Sequence, residues 1–192
     1  MNIFELLKED LHAAKNQDPA ATSLFEVALV YSGVHALWSH RLAHAMWQKP
    51  HLRGPARLIS QATKALTGIS IHPGATIGRR LFIDHGTGIV VGETAEVGDD
   101  VLMYQGVTLG GRALSKTKRH PTIGNHVMLG SGAKVLGPVI VGEHSAIGAN
   151  AVVVRDVPPR SVAVGLPAIS RSKDPDATVD PREDFIDPAL LT

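Results

Sequence analysis

Between Ile71 and Val153 an apolar residue, mostly Ile or Val, returns at every sixth position, and this period constrains the chain more than any other feature. The register runs Ile71, Ile77, Ile83, Ile89, Ala95, Val101, Val107 and then, after a break, Ile123, Leu129, Val135, Val141, Ile147, Val153. A period of six matches neither the 3.6 of a helix nor the 2 of an amphipathic strand. It is the pattern of a parallel β-helix built from hexapeptides, three flat faces to a coil of about 18 residues. Each recurring aliphatic then points into the axis of a triangular prism and stacks on its equivalent one coil away, at about 4.8 Å. A sandwich of short strands would require thirteen positions to share one register by coincidence.

Gly78, Gly92, Gly98, Gly124, Gly130, Gly142 and Gly148 fall at the expected corners, where glycine turns without a Cβ penalty. Val107 to Ile123 is 16 residues, one hexapeptide plus ten, so a loop of about ten extra residues leaves the prism within 110–121. That loop is basic, opens on Gly110-Gly111 and ends in Arg119-His120-Pro121. Long extrusions from repeat architectures are where binding residues concentrate.

Residues 1–67 read as helical. Ile3, Leu6, Leu7 and Leu11 have helix spacing, and Asp18-Pro19 marks a break. Leu37, Trp38, Leu42, Ala45 and Met46 form a stripe on a segment from Val34 to Trp47, and Arg53 to Leu66 leads into the prism. His35, His40 and His44 read as surface or packing residues, because no third ligand or nearby Glu accompanies them. The fold class is therefore α+β: helices over 1–67, a left-handed parallel β-helix over 68–170 with one extruded loop, and a polar tail over 171–192. That tail has too few apolar residues to offset its ordering entropy.

The formal net charge of +1 argues against a nucleic-acid-binding protein, and no apolar run is long enough to cross a bilayer. The chain has no Cys, hence no disulfide, thiol nucleophile or thiolate metal site. With acids at Glu5, Glu9 and Asp10 and no basic-then-apolar start, the N-terminus does not read as a signal peptide, and a cytoplasmic protein is expected.

The axis of a β-helix is inert, so chemistry belongs on its outer faces or between packed prisms. His85, two residues past an inward Ile and near a corner, is a candidate general base, since an imidazole titrates near neutrality. Arg119 and His120 suit a carboxylate, and the Leu109-Gly110-Gly111 turn offers backbone N–H groups to a pantetheine arm or an oxyanion.

The runs Ile83-Asp84-His85-Gly86-Thr87-Gly88-Ile89-Val90-Val91-Gly92-Glu93-Thr94, Gln105-Gly106-Val107-Thr108-Leu109-Gly110-Gly111 and Lys118-Arg119-His120-Pro121 resemble the serine O-acetyltransferase family, in a short form. Hexapeptides alone indicate only a broad acyltransferase superfamily; the Asp-His-Gly-Thr-Gly and Arg-His-Pro pair is much more specific. The resemblance implies acetyl transfer from acetyl-CoA to the hydroxyl of L-serine, giving O-acetyl-L-serine for cysteine synthesis. It implies that His85 deprotonates the serine hydroxyl, which attacks the thioester directly, that Arg119 and His120 hold the substrate carboxylate, and that Asp18 and Asp84 hold its ammonium. Gly110, Gly111, Ser131 and Gly132 would lie along CoA. The family works as homotrimers or dimers of trimers with sites between adjacent prisms, and no metal is expected.

Three departures from the family stand out. Ser70 occupies the place, two before His72, where the family usually has an acid that orients the catalytic His, so that either Asp84 or another acid supports His85 in catalysis, or activity is reduced, or the substrate differs. The loop continues Arg112-Ala113 where relatives have Thr-Gly. The chain ends Leu190-Leu191-Thr192 rather than in the Ile by which members dock into O-acetylserine sulfhydrylase, which argues against a strong complex with that enzyme. The alternatives are another hexapeptide O-acyltransferase with a homoserine, sugar or antibiotic acceptor, a non-catalytic lookalike, or a γ-class carbonic anhydrase-like zinc enzyme. For the last the chain offers His85, His120 and His126; His126 and His144, 18 apart, are expected to stack on a solvated face.

Overall fold

The computed structural model describes residues 3–165. The expected tail over 171–192, with its Thr192 terminus, lies outside the described residues. Helices α1 (Ile3–Gln17), α2 (Leu24–Val30), α3 (Ser32–Trp47) and α4 (Arg53–Thr67) come first, with a 3-10 turn at Pro50–Leu52. α1 stops before Asp18-Pro19, as Pro cannot continue a helix. α4 ends on Gly68 at φ 72°, whose left-handed conformation starts the first corner of the prism.

Fourteen short strands follow among the described residues, all paired in parallel on three faces. The first face carries β1 (Ser70–Ile71), β4 (Val90–Val91), β7 (Thr108–Gly110), β10 (Lys134–Leu136) and β13 (Val152–Val153). The second carries β2 (Thr76–Ile77), β5 (Glu96–Val97), β8 (Thr122–Ile123) and β11 (Ile140–Val141). The third carries β3 (Phe82–Asp84), β6 (Leu102–Tyr104), β9 (Met128–Leu129), β12 (Ala146–Ile147) and β14 (Val162–Ala163).

The pairing corrects the register. Each face sends two residues inward, two positions apart, so Ile69 and Ile71, Ile89 and Val91, and Val107 and Leu109 are all buried. Ile71 stacks on Val91 and then Leu109, whereas the Ile89, Ala95, Val101, Val107 series is the second inward row. A single six-residue count slides from one row to the other between Ile83 and Ile89, because both rows are apolar. Val90 pairs with Thr108, 18 residues on, but Ser70 pairs with Val90, 20 on, and Thr108 with Lys134, 26 on. Eight of the ten extra residues therefore sit in the extruded loop, and two sit after β3, at His85-Gly86.

The corner glycines also differ from expectation. Left-handed backbone recurs two residues before each strand of the first face, at Gly68, Gly88, Gly106, Gly132 and Asn150. Gly124 and Gly130 have ordinary φ and are instead needed for close approach: a Cβ on either would lie 2.7 Å from a backbone nitrogen of the next coil.

The helices pack on the first coil of the prism, α1 on β3, α3 on β1 and β3, and α4 on β1. Gly33 at the start of α3 lies on β3 so closely that a Cβ would sit 2.4 Å from the Ile83 carbonyl oxygen. The buried Asp10 of α1 takes both 2.7 Å bonds of an Arg41 fork from α3, and the same guanidinium donates to the Gly78 carbonyl at 3.1 Å. Burial raises the Asp10 pKa, opposed by the Arg41 bonds that hold the carboxylate charged. α3 buries Gly33, Val34, Ala36, Leu37, His40 and Ala43, while Leu42 of the expected stripe is exposed. His35 and His44 are tied to the Ala28 and Pro73 carbonyls, consistent with packing roles.

Candidate active site

The two-residue insertion after β3 determines where His85 points. Ile83 keeps its place in the axis, and His85 (φ 59°) and Gly86 (φ 81°) then take consecutive left-handed conformations, closed by the Gly86 N–H donating to the Asp84 carbonyl at 2.7 Å. Gly86 turns inward against Ile69, where a Cβ would meet the Ile69 side chain at 2.5 Å. The His85 imidazole is thrown out to solvent, 76% exposed, with Nε2 3.8 Å from Asp84 Oδ1.

This imidazole opens on a cleft of about 300 Å³ between the helices and the third face, lined by Asp18, Val30, Tyr31, Gly33, Asp84 and His85. Asp18, just past α1, is locked at both oxygens: Oδ1 accepts the Ala20 N–H at 2.8 Å and Oδ2 the Tyr31 hydroxyl at 2.6 Å. The Tyr31 bond, then that of Ala20, lowers the Asp18 pKa, and the same bond pushes the Tyr31 phenol up to about 12. The cleft thus brings together three of the expected residues, two acids beside an imidazole.

Arg119 and His120 lie elsewhere, on the extruded loop at the opposite edge of the first face. Thr94 is the hub that latches them. Its Oγ1 accepts the N–H groups of Arg119 and His120, both at 3.1 Å, and lies 2.9 Å from His120 Nδ1. Its own N–H donates to that Nδ1 at 3.1 Å. Nδ1 is therefore an acceptor and Nε2 carries the proton. Burial first, then the Arg119 charge, lowers the His120 pKa, in keeping with a neutral ring. Gly92 leaves the space for it, since a Cβ there would fall 2.0 Å from the ring. Lys118 binds Glu96 at 2.9 Å and Arg119 binds Glu93 at 3.2 Å, pinning the base of the loop.

Gly110 closes β7 at the root of that loop and accepts the Gly137 N–H at 2.9 Å, with Gly111 exposed beyond it. Ser131 and Gly132 stand instead on the edge that carries His85, in the corner column below Asn150. His126 is on the third edge, its ring stacked on His144 at 4.6 Å and 13° as expected, so His85, His120 and His126 occupy three different edges of one chain. Among the described residues no group of three or more His, Cys, Asp or Glu is placed to hold a metal ion. Sequence reasoning missed Tyr31, which joins two helices, and Thr94, whose role exists only through the loop it anchors.

Residues 120–155 match the family model for bacterial transferase hexapeptide (six repeats). The serine acetyltransferase of Mycobacterium tuberculosis is 58% identical over 161 residues, 84% of this chain and 70% of that protein. The chain belongs to the serine acetyltransferase family. A second member, from Helicobacter pylori, is 55% identical over 88% of this chain and 98% of its own length. Among solved structures, serine acetyltransferase isoform 3 of Entamoeba histolytica in complex with cysteine superposes with a TM-score of 0.85 at 40% identity, covering 90% of this chain. This chain spans 61% of that one. Soybean serine acetyltransferase complexed with serine gives a TM-score of 0.82 at 41% identity, over 87% of this chain and 68% of the other. The Brucella abortus enzyme in complex with coenzyme A gives 0.82 at 40%, over 86% and 66%. The helices and the left-handed parallel β-helix of hexapeptides are thus the architecture this family shares.

Proposed function

We propose that this protein transfers the acetyl group of acetyl-CoA to the hydroxyl of L-serine, giving O-acetyl-L-serine and CoA, the first step of cysteine biosynthesis. The observation that carries the reading is the insertion at His85-Gly86, which presents a solvent-facing imidazole beside Asp84 and Asp18 in a family whose soybean and Brucella members hold serine and coenzyme A. His85 accepts the serine hydroxyl proton as the oxygen attacks the thioester carbonyl. The C–S bond then breaks, and the departing CoA thiolate takes the proton back. Asp84 and Asp18 face the α-ammonium of serine.

Arg119 and His120 take the serine carboxylate of the neighbouring copy. The support for this is the geometry of one face: His85 stands at one edge of the first face and the Arg119-His120 latch at the other, with Val90 and Val152 exposed on the strands between. Around a threefold axis the first edge of each prism meets the second edge of the next, and a homotrimer carries three composite sites. The same reading lays the CoA arm along Gly110 and Gly111 on one side and Ser131 and Gly132 on the other. It needs no metal. A dimer of trimers is compatible with it, and a chain without Cys fits the cytoplasm.

The test is CoA release from acetyl-CoA with L-serine, L-homoserine or no acceptor, in wild type and His85→Ala. Serine-dependent release that the substitution lowers by about 10²–10⁴ supports both the reaction and its base. Equal release with and without serine overturns the reading, and a preference for homoserine moves it to another acceptor.

A further inference from the structure

We infer that Tyr31 is a positioning residue for the acceptor amino acid: its hydroxyl fixes Asp18 and presents its own oxygen to the acceptor's ammonium group. The inference rests on the serine-acetylation reading and adds a residue and a source of specificity to it. Tyr31 is both the C-terminal neighbour of α2 and the residue before α3, with an extended backbone at φ −83° and ψ 104°. Its N–H donates to the Val27 carbonyl at 3.3 Å, its ring packs on the cluster of Ala14, Ala21, Val27, Val34 and Phe82, and two residues on Gly33 rests on the Ile83 backbone. The phenol is therefore tied to the strand that carries Asp84 and leads into His85, while its hydroxyl reaches the carboxylate just past α1.

The Tyr31 proton is committed to Asp18 Oδ2 at 2.6 Å, and Oδ1 is committed to the Ala20 N–H at 2.8 Å, so the carboxylate plane is held by two donors from two directions. Each carboxylate oxygen keeps a free lone pair, and the phenol oxygen, having donated its proton, is left an acceptor. The cleft wall then offers acceptors from Asp18, Asp84 and Tyr31, three groups for the three N–H bonds of one ammonium. An acceptor lacking that ammonium leaves these half-buried groups without their partner, and the site discriminates against it.

Tyr31→Phe removes the hydroxyl and keeps the packed ring. Steady-state kinetics on wild type, Tyr31→Phe, Asp18→Asn and the double variant, with melting temperatures for each, test the inference. The expected result is a KM for L-serine raised about 10-fold in Tyr31→Phe, kcat changed by less than about 3-fold and an unchanged KM for acetyl-CoA. In the Asp18→Asn background the same substitution should add little, because Tyr31 acts largely through Asp18. An unchanged KM for serine overturns the inference. So does a parallel rise in both KM values, full additivity in the double variant, or loss of folding in Tyr31→Phe while Asp18→Asn stays folded. In the first three cases an active wild type leaves the acetylation reading standing; a wild type without serine-dependent CoA release overturns both.

Discussion

Asp84 Oδ1 stands 3.8 Å from His85 Nε2, and the two adjacent residues reach this relationship only because the backbone turns left-handed between them. In a regular hexapeptide successive side chains point to opposite sides of the strand. The two extra residues at His85-Gly86 break that alternation, so the acid and the imidazole open on the same cleft. At 3.8 Å the pair is not a hydrogen bond, and His85 has room for a second acid that orients it.

That room leads to a prediction at Ser70. Ser70 faces outward on β1, next to Ile69, which touches Gly86. Ser70→Asp places a carboxylate beside the His85 insertion, where it can stabilise the imidazolium that forms during attack. The expected outcome is a kcat raised several-fold with little change in either KM. An unchanged or lower kcat in a folded variant would show that Asp84 and Asp18 already suffice.

Subunit mixing tests the composite site. His85→Ala and Arg119→Ala are each expected to be nearly inactive alone. Mixed in equal amounts and reassembled, a quarter of the interfaces pair an intact His85 with an intact Arg119, so activity should recover to roughly a quarter of wild type. No recovery in a mixture shown to exchange subunits would place both residues in one chain's site.

Gly92→Ala should unlatch the loop without harming the prism. The added Cβ falls 2.0 Å from the His120 ring and must expel it from its contacts with Thr94. We expect the KM for serine to rise by about 10-fold or more, since a hydrogen-bonding group is displaced, with a melting temperature within a few degrees of wild type. A wild-type KM would mean that the latched position of His120 is not the one that serves the substrate.

Acid should destabilise the fold through His40. This residue is 5% exposed, its Nδ1 has no hydrogen-bond partner, and burial first, then the charges of His44 and Arg41, push its pKa down to about 3. An unfolded His titrates near 6.5, so between that value and about 3 the unfolded chain binds more protons. Stability is full above pH of about 6.5 and falls as the pH drops toward 3. From pH 7.5 to 5 the expected loss is about 2 kcal/mol, read from urea midpoints. His72, lowered to about 4 mainly by burial, adds in the same direction. A His40→Gln variant should show a shallower pH dependence, and an identical slope would refute the assignment.

The period of six was enough to read the prism, because stacked coils repeat one chemical requirement, an aliphatic in a dry axis, at a fixed interval. Helices before Gly68 were legible from spacing and from Asp18-Pro19, although the buried face of α3 was not. Leu42 is exposed and Ala43 buried, because the face that α3 turns to its neighbours is set by packing between segments. The stacking of His126 on His144 followed directly from the coil length.

Local chemistry, then, was written in the sequence: which residues line an axis, which side chains can move a proton or bind a carboxylate, and which motif pair resembles a family. Tertiary structure alone decided where those groups stand. A period of six is blind to a two-residue insertion when both inward rows are apolar, so the bulge that turns His85 outward appears only once Ser70 is paired with Val90. Tyr31 meets Asp18 because two helices fold onto one strand, and His120 is held because Gly92 leaves it space, and neither contact has any trace in local spacing. The physical reason is range: periodicity reports the environment of each residue along the chain, whereas a site is made by contacts between segments that only packing brings together.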